Sequence, residues 1–168
     1  MEYTQLDIIK ALKKSGIARG DTVFFTTSLG MLGIPKNKKI KSINDICFLV
    51  FVAIKKILGP KGTILVPAYS YSFGNFSKKK LPIFDPLKTP SKIGPFPNFF
   101  RKQKGVIRSI DPMISIAGLG PKAKKILKDI PTTSYGKGCV FEKILKIRNA
   151  KCCSIGLGPN WIPFIHYV

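Results

Sequence analysis

Apolar residues at Leu6, Ile8, Ile9, Leu12 and Ile17 recur at helical spacing with lysines between them, which predicts an amphipathic helix ending at Ser15-Gly16. After the Gly20-Asp21 turn, the continuous run Thr22–Thr26 predicts a short buried strand. Asn44-Asp45 is read as the cap of a helix from Ile46 to Leu58, apolar on most sides and so expected to pack on a sheet. Gly59–Gly62 turns the chain into a second buried strand, Thr63–Pro67, which runs on into Ala68–Ser72. Helix, strand, helix, strand in this order predicts an α/β layered domain.

Between Phe73 and Pro97 the pattern dissolves into Gly, Pro, Phe and Lys, and a loop of that length inside a compact domain is usually functional. Within it, Asp85 reads equally as a substrate contact or as an Asx-turn beside Pro86. A short helix is expected over Pro97–Lys104, another over Pro121–Lys128 with proline in its first turn, and a third over Val140–Ile147. Lys151–Gly156 predicts a final strand, and Trp161–Val168 begins an apolar, helical segment. No repeat or linker divides the chain, so residues 1–168 are read as one domain. Domain termini are normally polar, whereas this one stops among aromatics, so the chain reads as cut short at its C-terminus.

Charge changes the picture of partners. Lys+Arg number 29 against 8 Asp+Glu, a net charge of +21, which suits nucleic acid, an anionic surface or a phosphate-bearing ligand. Most cations are lysine, with Arg only at 19, 101, 108 and 148, and a lysine bias also follows from an AT-rich genome; a solvated surface accounts for it. No helix-turn-helix or aromatic-basic motif is present, so no specific nucleic-acid partner is expected, and a basic nucleic-acid-binding module is kept as the alternative. Hydrophobic content of 45% with 12 Phe excludes a disordered chain. Cys47, Cys139, Cys152 and Cys153 lack metal-ligand spacing and read as buried free thiols, with no metal expected. The start lacks a signal peptide, and the longest apolar run, Ile46–Ile54, is too short for a membrane span. A cytoplasmic protein without membrane association is expected.

Two places carry candidate chemistry. Gly105–Gly120 sets Arg108, Ser109, Ser115 and Asp111 beside the rigid Pro112; from spacing, Arg108 and Asp111 either pair across a turn or form part of a site. Thr27 and Ser28 follow a strand and lead into Leu29-Gly30, where hydroxyls either present donors to a phosphate or merely cap the strand end.

Taken in order, the segments resemble the aminoglycoside N(3)-acetyltransferase family, also called antibiotic N-acetyltransferases. Gly20–Gly33 is similar to G-D-T-(apolar)₃-H-S-S-L-x-x-x-G, and Gly59–Pro67 to G-P-x-G-T-L-(apolar)-x-P. Phe84-Asp85-Pro86 with Thr89-Pro90-Ser91 resembles F-D-P…T-P-S. Arg108–Gly120 resembles R-S-x-H-P-x-x-S-(apolar)-x-x-x-G, and Asn160–Val168 resembles N-x-x-x-x-(apolar)-H-Y-x-E. The resemblance implies a layered α/β/α sandwich and transfer of acetyl from acetyl-CoA to a small-molecule amine of an aminoglycoside or related amino sugar, with antibiotic resistance as one use.

By position, His166 would be the general base. Thr27, Ser28 and Leu29, with Arg108, Ser109 and Ser115, would bind CoA. Asp85, Asp111 and Asn160 would meet the acceptor. Thr26 and Asp111 stand where the pattern has His, and the pattern's Glu, which would orient His166, falls immediately after Val168. An inactive remnant that keeps the fold is the further alternative. With so few acids, the chain suits CoA better than a polycationic aminoglycoside, and a less charged amine is expected. The residues carry no statement about oligomeric state.

Overall fold

The computed structural model describes residues 2–71, 83–131 and 133–167. The chain opens with a two-residue strand β1 (Glu2–Tyr3) and helix α1 (Gln5–Lys14), then strand β2 (Thr22–Thr27) and a 3₁₀ turn over Leu29–Leu32. Strand β3 (Ile34–Pro35) pairs with β1, and helix α2 (Ile43–Leu58) leads into strand β4 (Thr63–Pro67). Beyond residues 72–82, which lie outside the described residues, come helix α3 (Pro95–Phe100) and strands β5 (Ile107–Arg108) and β6 (Ile116–Leu119). Helices α4 (Ala123–Leu127) and α5 (Val140–Leu145), strand β7 (Ala150–Ile155) and two 3₁₀ turns complete the order.

Capping chemistry fixes both long helices. Thr4 with Asp7, and Ser42 with Asp45, form reciprocal capping boxes that satisfy N-terminal amides. The carboxylates are thereby held below the usual aspartate range, first by their bonds to Thr4 and Ser42. Ser42 is therefore the cap of α2, and Asp45 sits one turn in; the expected cap at Asn44-Asp45 was placed too late. Leu6, counted above on the apolar face of α1, is 56% exposed, whereas Ile8, Ile9 and Leu12 are buried. Helix α2 likewise buries one broad face and leaves Phe48 outward.

The main sheet runs β5-β6-β4-β2-β7. Strands β4, β2 and β7 are parallel, while β6 is antiparallel to both β4 and β5. Side chains alternate across it. Val23, Phe25, Ile64, Val66 and Ala117 pack with α1, α2 and α3, whereas Phe24, Leu65 and Ile116 pack with α4 and α5. Phe24 meets Phe164 edge-on at 5.5 Å between ring centroids, tying the C-terminal turns to the second face. The result is the expected α/β/α sandwich.

Boundaries differ from expectation where short polar signals decide them. Helix α4 begins at Ala123, so Pro121 precedes it rather than opening it, and α5 stops at Leu145. The segment from Trp161 forms 3₁₀ turns, Pro159–Trp161 and Pro163–His166, because Pro163 interrupts any continuous helix. Cys152 is exposed on β7, an outer strand of the sheet, contrary to the reading of all four cysteines as buried. Gly120 has φ +122, and a Cβ there would collide with the Gly62 carbonyl, so only glycine lets β6 turn this close to the start of β4.

Candidate active site

Parallel strands β2, β4 and β7 end on the same side of the sheet, and the crevice outside the carboxyl ends of such strands is where α/β folds bind ligands. A cavity of about 780 Å³ opens there. Its floor is the end of β2 with Thr26, Thr27 and Ser28, and one wall is the continuation of β4 with Pro67, Tyr69 and Tyr71. Tyr135, Asn160, Trp161 and His166 close the other side.

The floor is held by the β2–β7 ladder. Thr26 lies opposite Ser154, and their hydroxyls are hydrogen-bonded at 2.8 Å. The Thr27 and Ser28 hydroxyls have no such partner among the described residues, and Ser28 makes no side-chain cap bond to the turn it begins. Two half-buried hydroxyls are thus left to the cavity. His166 is exposed at its mouth, 6.2 Å from the Tyr135 ring between centroids, and its imidazole has no hydrogen-bond partner among the described residues. Tyr69 is buried, its hydroxyl has no hydrogen-bond partner among the described residues, and burial pushes that phenol up. Tyr71 occupies the left-handed region at φ 48, a rare conformation for a bulky residue, and its ring meets Tyr69 edge-on.

Of the residues singled out in the sequence, Thr27, Ser28, Asn160 and His166 therefore share one cavity. Leu29, Arg108, Ser109, Ser115, Asp85 and Asp111 do not line it. Leu29 is buried in the core beneath α2. Ser109 and Ser115 are fully buried: the Ser109 hydroxyl accepts from the Ile116 amide, and the Ser115 hydroxyl donates to the Ala68 carbonyl.

Arg108 and Asp111 do not pair with each other. The Arg108 guanidinium donates to Ser115 Oγ at 2.9 Å and to the carbonyls of Ala68, Pro86 and Thr89, and it stacks over Phe84 at 5.0 Å. Burial, with Arg101 nearby, lowers its pKa to about 10. Asp111 accepts from the Met113 and Ile114 amides and, at 2.6 Å, from the Ser134 hydroxyl. It thereby joins the loop carrying Ile114 to the segment carrying Tyr135, both of which line the cavity. Asp85 forms the Asx-turn, accepting from the Leu87 and Lys88 amides.

The aromatic wall was not anticipated. Its one legible signal was Tyr69-Ser70-Tyr71 directly after a parallel strand, where ligand-facing residues collect.

The sequence profile of the aminoglycoside 3-N-acetyltransferase family matches residues 37–168. The chain belongs to that family. Among relatives of this family, aminoglycoside N(3)-acetyltransferase VII of Streptomyces paromomycinus is 25% identical over 142 residues, covering 76% of this chain and 46% of the relative. The structure of AAC-VIa bound to sisomicin superposes with a TM-score of 0.80 at 24% identity, over 99% of this chain and 64% of that one. AAC-IIIb in binary complex with CoASH gives 0.72 at 24% identity, over 87% and 57%. Aminoglycoside acetyltransferase AAC(3)-Xa gives 0.72 at 26%, over 86% and 53%. The chain thus has the sandwich fold of these family members and spans about half the length of the curated relative.

Proposed function

We propose that the chain builds the reaction cavity of an acetyl-CoA-dependent N-acetyltransferase, with His166 as general base toward an acceptor amine. The observation that carries the reading is the convergence in one cavity at the strand ends of His166 with the Thr27 and Ser28 hydroxyls, which have no hydrogen-bond partner among the described residues. The CoASH complex of AAC-IIIb and the sisomicin complex of AAC-VIa support this pairing of donor and acceptor. Neutral hydroxyl donors on the floor and apolar walls suit the amide and alkyl parts of a pantetheine arm. When bound, acetyl-CoA supplies an acetyl thioester, which a neutral amine can attack.

The acceptor arrives as an ammonium and must lose a proton first. An imidazole titrates in the range where it can take that proton at neutral pH. His166, exposed and uncommitted among the described residues, has both ring nitrogens available for this. Thr27 and Ser28, in this reading, donate to charge that develops on a carbonyl oxygen. In this reading Arg108, Ser109 and Ser115 do not meet CoA; they frame the wall that Tyr69 and Tyr71 present.

Acetyl-CoA titrated against the chain is expected to change the fluorescence of Trp161, the single tryptophan and a cavity residue, in a saturable way. Adding an acceptor amine is expected to release free thiol from acetyl-CoA. No saturable change, together with no thiol release from any amine in a panel, sinks the reading.

A further inference from the structure

We infer that the chain carries a second ligand site, for a nucleoside di- or triphosphate, on the α4–α5 face at the opposite end of the sheet from the reaction cavity. A cavity of about 640 Å³ lies there, within the size range of small-molecule sites. It is lined by Lys122, Lys125 and Ile126 of α4 and its cap, by Lys143 and Lys146 of α5 and its cap, and by Ile147, Arg148 and Asn149 in the turn into β7. Two hydrogen bonds fix its place in the fold. The Lys122 amide donates to Thr63 Oγ1 at the start of β4, and the Asn149 side chain donates to the Gly20 carbonyl just before β2. The reaction cavity lies at the other ends of these strands, about 20 Å away by the rise of the six residues of β2.

The cations here are placed, not merely numerous. Lys122 is half-buried and its ammonium donates to Asn149 Oδ1 at 2.9 Å, while Asn149 is itself held by the Gly20 carbonyl. Lys143, also half-buried, donates to the carbonyls of Lys128 and Asp129 where α4 ends. An ammonium has three donors. Lys122 therefore keeps two for a ligand and Lys143 keeps one, on side chains already ordered, which lowers the entropy lost on binding. Lys146 is occupied by Glu142. Lys125 and Arg148 stand exposed on the cavity and make no hydrogen bond or ion pair among the described residues. An arginine fork takes a phosphate through two parallel N–H bonds, and lysines serve beside it as point charges.

The class of ligand follows from what converges. Charges spread over a surface suit a membrane or a nucleic-acid backbone, whereas these cations meet in one small-molecule cavity. Buried Ile126 and half-buried Ile147 supply an apolar lining on which a flat base can lie. A chain of two or three phosphates can meet Lys122, Lys143 and Arg148 together, which a single inorganic phosphate does less completely. Like charges gathered in one place repel, so a bound polyanion relieves that repulsion and stabilises the folded chain.

The test titrates the 168-residue chain with magnesium-free ATP and with inorganic tripolyphosphate, followed by calorimetry and thermal unfolding. ATP is expected to bind saturably at a single site and to raise the Tm. Weaker binding of tripolyphosphate assigns the base a share of the recognition, and equal binding assigns it to the phosphates. Lys125→Glu combined with Arg148→Glu is expected to weaken ATP roughly tenfold or more. Lys10→Glu combined with Lys38→Glu, at exposed positions on α1 and after β3, changes the net charge equally. That pair is expected to weaken ATP less than about twofold, since distant exposed charges are screened. Circular dichroism of both variants should match the parent, because all four side chains are exposed.

Equal weakening of ATP by the two pairs of substitutions overturns the inference, because net charge alone would then account for binding. Binding that never saturates does the same. An ATP-induced change in Trp161 fluorescence that persists in the Lys125 and Arg148 variant also overturns it, by putting the ligand in the reaction cavity. Each of these outcomes leaves the acetyl-transfer reading standing.

Discussion

Exchanging His166 for alanine is expected to lower amine-dependent thiol release by about 10²- to 10⁴-fold, the usual worth of a positioned general base. It is the only histidine in the chain, and among the described residues no carboxylate lines the same cavity. Its exposure and lack of a hydrogen-bond partner among the described residues mean that its removal leaves no buried group unsatisfied. Stability should therefore hold while turnover falls. The readout that separates base from bystander is pH: the pH profile of thiol release should change shape in His166→Ala, while acetyl-CoA titrated against Trp161 should saturate at similar concentrations. A variant that keeps its rate within about threefold, with an unchanged pH profile, removes His166 from the chemistry.

Arg108→Ala is expected to produce the largest loss of stability, about 1–3 kcal/mol, the cost of leaving buried hydrogen-bond acceptors without their donor. Its guanidinium serves Ser115 Oγ and the carbonyls of Ala68, Pro86 and Thr89 at once, so one side chain fastens β6, the end of β4 and the 86–89 loop. Removing it strands the Pro86 and Thr89 carbonyls in a partly buried place, while the Ala68 carbonyl keeps its bond from the Ser115 hydroxyl. Lysine cannot substitute, because the four contacts are shared among the three nitrogens of the planar fork, which a single ammonium does not reproduce. Urea unfolding followed by circular dichroism should show the midpoint fall in both Arg108→Ala and Arg108→Lys with little change of slope. A midpoint within the error of the parent would show that the strap contributes nothing measurable.

Arg108 also shows how far residues can be read without coordinates. Its neighbourhood was legible: an Asp-Pro loop leading into a buried strand marks a built feature. Its partners were not, because main-chain carbonyls from positions 68, 86 and 89 leave no trace in side-chain identity. Asp111 drew attention as an acid in a basic chain, yet its work is local, holding two amides and Ser134.

Buried parallel strands announced themselves, since each carries a continuous apolar run, Val23–Phe25 and Ile64–Val66, bounded by β-favouring threonine. Helix starts were misjudged by a few residues where several polar groups compete, as with Ser42, Asn44 and Asp45. The candidate base at His166 and the candidate CoA-binding residues Thr27 and Ser28 came from a motif pattern. The tyrosine wall came only with the fold, because Tyr135 reaches the cavity through a loop with no periodic signal.

The ladder that holds the cavity floor has a kinetic side. Thr26 and Ser154, which face each other across β2 and β7, are 128 residues apart in the chain. Contacts of such sequence separation form late, after most loop-closure entropy has been lost. Thr27 and Ser28 belong to the first of these strands, while Asn160, Trp161 and His166 follow the second. The cavity is thus expected to be among the last parts of the molecule to assemble and the first to dissolve when β7 frays. In refolding, the Trp161 signal should lag the recovery of helix; a simultaneous rise would place β7 in the early nucleus instead.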